Sequence, residues 1–102
     1  MTPSTAEQRE QVRLATEDLM QRLAVQAEEI TLVDITGVVW TDGSLGCPQP
    51  GMFYTQALVE GTRIRLRVGD VIYHYHSGRN QAPFYCENPS GETSATGSEA
   101  TK

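Results

Sequence analysis

The sequence predicts an α+β fold: an N-terminal helix packed on an antiparallel sheet of about four strands. Three observations carry that expectation. An apolar stripe recurs at helical spacing in the first quarter of the chain, a β-branched run fills Ile30 to Trp40, and two alternating runs flank Gly69-Asp70. With 102 residues there is room for one such domain, and its core is small enough to be marginal without help.

The helix is read over Ser4 to Ala24. Val12, Ala15, Leu19, Met20 and Leu23 recur three and four residues apart, which makes one apolar stripe and marks a helix that covers a sheet. Ser4 with Glu7 three positions later is a capping-box pattern. Arg13 with Glu17 and Asp18 with Arg22 are i,i+4 pairs for the wet side.

"ITLVDITGVVW" (Ile30 to Trp40) reads as a strand, but its alternation breaks partway. Ile30, Leu32, Val38 and Trp40 share one parity, whereas Val33, Ile35 and Val39 share the other. Gly37 is the expected site of the bulge or bend that changes the facing. By parity with Ile30 and Leu32, the Trp40 ring is expected to pack inward where the strand ends.

"TRIRLRVGDVIYHYH" (Thr62 to His76) is the clearest signal. Gly69-Asp70 suits a two-residue hairpin turn. That register sets Val68 opposite Val71, Leu66 opposite Tyr73 and Ile64 opposite Tyr75, all on one core face. The other face then collects Arg63, Arg65 and Arg67 across from His76, His74 and Ile72. "APFYCE" (Ala82 to Glu87) reads as a short last strand. The domain is expected to span 5–87, after an arm at 1–4 and before a tail at 88–102 whose Ser, Thr, Gly, Glu and Ala leave nothing to bury.

Composition excludes several function classes. Net charge is −5, which argues against nucleic acid as a partner, and no apolar run approaches the roughly eighteen residues of a membrane span. The charge is uneven, however. Residues 61–79 carry Arg63, Arg65, Arg67 and Arg79 against Asp70 alone, so a basic patch sits on an acidic chain.

The stretch "WTDGSLGCPQPGM" (Trp40 to Met52) holds a Trp, a Cys, two prolines and three glycines. Pro48 and Pro50 fix their own φ, and Asp42-Gly43 is a turn signal. The loop is therefore stiff. Ser44 suits a turn residue bonding nearby groups, and "GSLG" is not a nucleophile elbow, because only Leu45 separates Ser44 from Gly46.

Running from Trp40 through Gln56, the stretch resembles an uncharacterised small bacterial domain family with a W-x-D-x-S-L-G-C-P-x-P-G-x-x-Y-x-Q motif. Gly61, Ile64, Tyr73, Tyr75, His76 and Cys86 also fit. Members often sit in extracytoplasmic proteins and lipoproteins. The resemblance implies one domain of this fold and supplies no catalytic residues. It implies a periplasmic or secreted setting; the start "MTPSTAEQREQ" has no basic-then-apolar leader, so a cytoplasmic chain is the alternative.

The chain has two cysteines, Cys47 and Cys86. In a cytoplasmic setting they would be free thiols, whereas the family setting and the even count imply a disulfide. A cysteine enzyme with Cys47 as nucleophile and His74 or His76 as base excludes that bond, and no acidic residue is spaced to orient either histidine. Zinc could use the same four residues, but no close Cys pair exists and arginines flank both histidines, so no metal and no cofactor is expected.

The expected function is that of a non-catalytic binding module, monomeric, for an unknown protein or small anionic ligand. Its candidate binding residues are Ser44, Leu45 and Gln49 on an exposed, ordered loop, and Arg63, Arg65, Arg67, His74 and His76 on the strand face. The alternatives are a protease-inhibitor-like loop presenting Leu45 and, further off, the Cys47 enzyme.

Overall fold

The computed structural model describes residues 5–87 and 89. The arm, with the Ser4 cap, and the expected tail apart from Pro89 lie outside the described residues. A 19-residue helix, α1 (Thr5–Leu23), and a single 3-10 turn, Ala27–Glu29, precede a four-stranded antiparallel sheet of β1 (Ile30–Trp40), β2 (Val59–Val68), β3 (Val71–Ser77) and β4 (Phe84–Cys86). Strand order follows the chain, β1-β2-β3-β4.

The helix packs by the expected stripe. Ala15 and Leu19 are fully buried, and Leu23 joins the edge of the same cluster. Arg13 bonds both Glu10 and Glu17, and Arg22 bonds Asp18, all on the exposed side. The helix stops at Ala24, which takes φ +56 while the Val25 N–H donates to the Met20 carbonyl at 3.1 Å. This is a Schellman-type ending with alanine where glycine is usual.

The hairpin register is the one expected from the sequence. Val68 pairs with Val71, Leu66 with Tyr73 and Ile64 with Tyr75. Gly69 takes φ +61, the turn conformation that glycine adopts at no steric cost. Ile64, Leu66 and Tyr75 are buried under the helix, with Val68, Tyr73 and Tyr85 around them. The Tyr75 hydroxyl donates to Asp18 of α1 at 2.6 Å, which ties the helix to β3. Val71 departs from expectation: it faces the same way but is 52% exposed, because it stands at the hairpin tip beside the turn.

The second departure is the facing of β1. Its irregularity falls between Leu32 and Asp34, at Val33, while Gly37 pairs regularly with Thr62. Ile30 and Leu32 therefore share the helix side, and the extra residue sends Asp34, Thr36, Val38 and Trp40 to the other face. Trp40 is an inner anchor as expected, but on the face opposite Ile30 and Leu32.

Candidate functional site: the loop-covered face of the sheet

The face away from the helix carries Trp40, Arg63, Arg65, His74, His76, Phe84 and Cys86, and the 41–58 connection folds back over one end of it. His76 is the centre of this arrangement. Its ring is fully buried, stacks on Trp40 with centroids 4.5 Å apart, and meets Phe84 at an edge. His76 Nδ1 lies 2.8 Å from the Leu45 carbonyl oxygen. A carbonyl only accepts, so Nδ1 carries the proton and donates. The Trp40 indole N–H donates to the Ser77 carbonyl at 2.9 Å, which locks the ring in place.

The loop seats itself on this pair. The Asp42 carboxylate accepts from both the backbone N–H and the hydroxyl of Ser44, and those two bonds hold its pKa below the usual carboxylate range. The Leu45 and Cys47 N–H groups close further turns onto Asp42 and Ser44. Leu45 takes φ +56 and Gly46 φ +75. A Cβ at Gly46 would stand 2.8 Å from Trp40 Cε3, so only glycine lets the backbone lie against that ring. Cys47 is joined to Cys86 by a disulfide, Cα to Cα 5.8 Å, which ties the loop to β4. The Cys47 sulfur is thus held as a disulfide, not as the thiol a nucleophile requires.

The inner half of the loop is a lid on the sheet. Ser44 and Leu45, expected on an exposed binding surface, are both buried, and Leu45 is turned away from any protease. The cause is the latch: the Leu45 carbonyl must reach His76, and Cys47 must reach Cys86. His76, expected on a solvated strand face, is buried by the same contacts. Gln49 is exposed as expected, its N–H donating to the Tyr54 hydroxyl at 2.9 Å.

The arginine cluster is also changed by the bulge. Asp34, turned onto this face, bonds Arg65 Nε at 3.0 and 3.2 Å and also takes its Nη2. That bonding, with Arg63 and His74 near, holds the Asp34 carboxyl below its ordinary range. Arg63, Arg65 and His74 are half-buried, and Arg67 is exposed near the hairpin tip. The expected basic face exists, but a carboxylate sits within it.

Two residues that sequence reasoning passed over stand out. Phe53 is 97% exposed and Met52 is 59% exposed, just beyond Pro48 and Pro50. Met52 and Phe53, two large apolar residues directly after the Pro50-Gly51 corner, were the available signal. A separate shallow cleft on the helix side, about 640 Å³, is lined by Glu10, Gln11, Glu60, Thr62, Ser77 and Arg79 among others, and by none of the expected site residues. Among the described residues no group of three His, Cys, Asp or Glu side chains is placed to hold a metal ion, and no helix is long and apolar enough to cross a membrane.

No curated protein and no solved structure matches this chain. A family model does, over residues 12–86, from the helix stripe through the second cysteine. The chain belongs to the family described as Domain of unknown function (DUF8738).

Proposed function

We propose that this domain is a non-catalytic binding module that presents the rim of its loop, Pro48 to Phe53, to a partner protein. The observation that carries the reading is Phe53. A phenylalanine almost wholly in water is costly to keep, and here it follows a segment fixed by a disulfide, two prolines and a buried histidine. A rim ordered before contact loses little entropy on docking, which is what makes a rigid loop a good binder. Aromatic and methionine side chains are enriched in the buried centres of protein interfaces. A disulfide that closes a 39-residue span suits an oxidising, extracytoplasmic setting.

The test is the double variant Met52→Ala with Phe53→Ala, used as bait against an extract of the native host beside the parent chain. Loss of a captured protein at an unchanged melting temperature is the expected result. Identical capture by both baits, or no capture by the parent, would remove the rim from consideration. A lowered melting temperature would show instead that Phe53 stabilises the loop.

A further inference from the structure

At one end of the helix side, both layers of the core turn from apolar to polar together. In the sheet, the row of facing pairs Val68–Val71, Leu66–Tyr73 and Ile64–Tyr75 ends on Thr62–Ser77. In α1, Gln11 stands four residues before the buried Ala15, where the apolar stripe would continue. Between these polar ends lies the helix-side cleft of about 640 Å³.

The floor of that cleft holds two hydroxyls. Thr62 is 6% exposed and Ser77 is 1% exposed, yet among the described residues neither hydroxyl has a hydrogen-bond partner. On the wall, Gln11 donates Nε2 to the Gln81 carbonyl at 3.2 Å, while its Oε1 is buried with no partner. Native interiors leave few polar groups unmatched, so three around one cleft point to a molecule that completes them.

Charge selects the kind of molecule. Glu7, Glu10 and Glu60 line the cleft against one guanidinium, Arg79. Arg79 meets Glu60 at 3.5 Å, and Arg13 meets Glu10 from the outer side at 2.6 Å. Among the described side chains, three carboxylates face two guanidiniums, which leaves the wall one negative charge from neutral. Gln11 lies about two turns into α1, where the partial positive charge of the helix start has faded.

We infer that this cleft binds an alkylammonium group, carried by a free amine or by the lysine side chain of a peptide. An ammonium offers three N–H donors and accepts nothing, which matches a floor of hydroxyl oxygens beneath a carboxylate wall. Its single charge balances the wall. Its methylene stem has Leu14 and Ala82, the apolar members of the lining, to lie along. The cleft is on the other face of the sheet from the lid, so the inference does not rest on the loop rim.

The test is a titration of the full chain with n-butylammonium chloride, followed through backbone amide shifts at constant ionic strength. Butan-1-ol and sodium butyrate serve as neutral and anionic controls. The expected result is saturable shifts at Gln11, Thr62, Ser77 and Gly78 with a millimolar Kd for the ammonium alone. Thr62→Val, which keeps the shape of the side chain, and Ser77→Ala should each weaken binding about fivefold or more. Nα-acetyl-lysine N-methylamide identifies the source: binding about tenfold tighter than butylammonium assigns a peptide lysine, and equal binding assigns a free amine. No saturable shift at these amides with either ammonium overturns the inference. So do equal shifts with butan-1-ol, or a Kd that neither T62V nor S77A changes. The Met52→Ala with Phe53→Ala variant should bind the ammonium as the parent does, which separates failure here from failure of the rim.

Discussion

The two faces of the sheet are stabilised by different means. The helix side is an ordinary apolar core, with Leu19 and Ala15 against Ile64, Leu66 and Tyr75. The other side is covered by a loop with few large apolar groups, and there the contact depends on two specific links, one disulfide and one imidazole N–H to a carbonyl, over a Trp40 ring that its own indole N–H holds in place. Core packing spreads its stabilisation over many weak contacts, each tolerant of small changes. A latch of two links concentrates it, and either can be removed by a single substitution. The difference explains why glycine is required at Gly46, against Trp40, while the helix ends acceptably on a left-handed alanine.

That contrast can be broken from either side. The largest effects are expected from Leu66→Ala, which opens a cavity under the helix and should cost about 2–5 kcal/mol in denaturant titration. Replacing Cys47 and Cys86 together by serine should cost about 4 kcal/mol, the chain-entropy value for a loop of this length. If the serine pair costs far less than L66A, the loop side contributes little and the two faces are unequal partners.

Smaller changes sharpen the comparison. His76→Phe keeps the stack on Trp40 but deletes the donor to Leu45, leaving a buried carbonyl unsatisfied, and should cost about 1–3 kcal/mol by thermal melting. Asp34→Asn should cost about 1 kcal/mol, modest because the pair with Arg65 is about one-third exposed. Since Asp34 has its pKa lowered on folding, its contribution is present above the usual carboxylate value of 3.8 and is lost as pH falls through the lower folded value. Denaturation titrated downward from pH 5 should therefore show acid destabilisation that D34N reduces. The smallest effect expected is a gain: Ala24→Gly relieves the left-handed alanine and should stabilise by about 0.5 kcal/mol.

The helix side was legible in the sequence almost completely. Strict alternation around Gly69-Asp70 leaves one register that puts Ile64, Leu66, Val68, Val71, Tyr73 and Tyr75 on one face, and the structure has that register. The extent of β1 was legible for the same reason, as a β-branched run with clear ends. Its facing was not, because the bulge falls at Val33, a residue that fits a regular strand equally well, while Gly37 drew attention to itself. Asp34 was missed as a consequence: without the bulge it would project toward the helix, away from Arg65. The loop's stiffness could be read from Pro48, Pro50 and the glycines. Which way its residues turn could not, because that depends on where β4 brings Cys86 and where β3 brings His76, both roughly thirty or more positions away.

Native-state amide exchange, read residue by residue on the unmodified protein, tests the latch most directly. The Leu45 and Cys47 amides are in short local turns that would open freely if the loop merely lay on the surface. Held by His76 and the disulfide, they should exchange within about tenfold of the β2 and β3 core amides, while Phe53 at the rim exchanges close to the rate of an unstructured chain. Exchange at Leu45 and Cys47 as fast as at Phe53 would contradict the latch, and with it the picture of a braced loop holding out a ready-ordered rim.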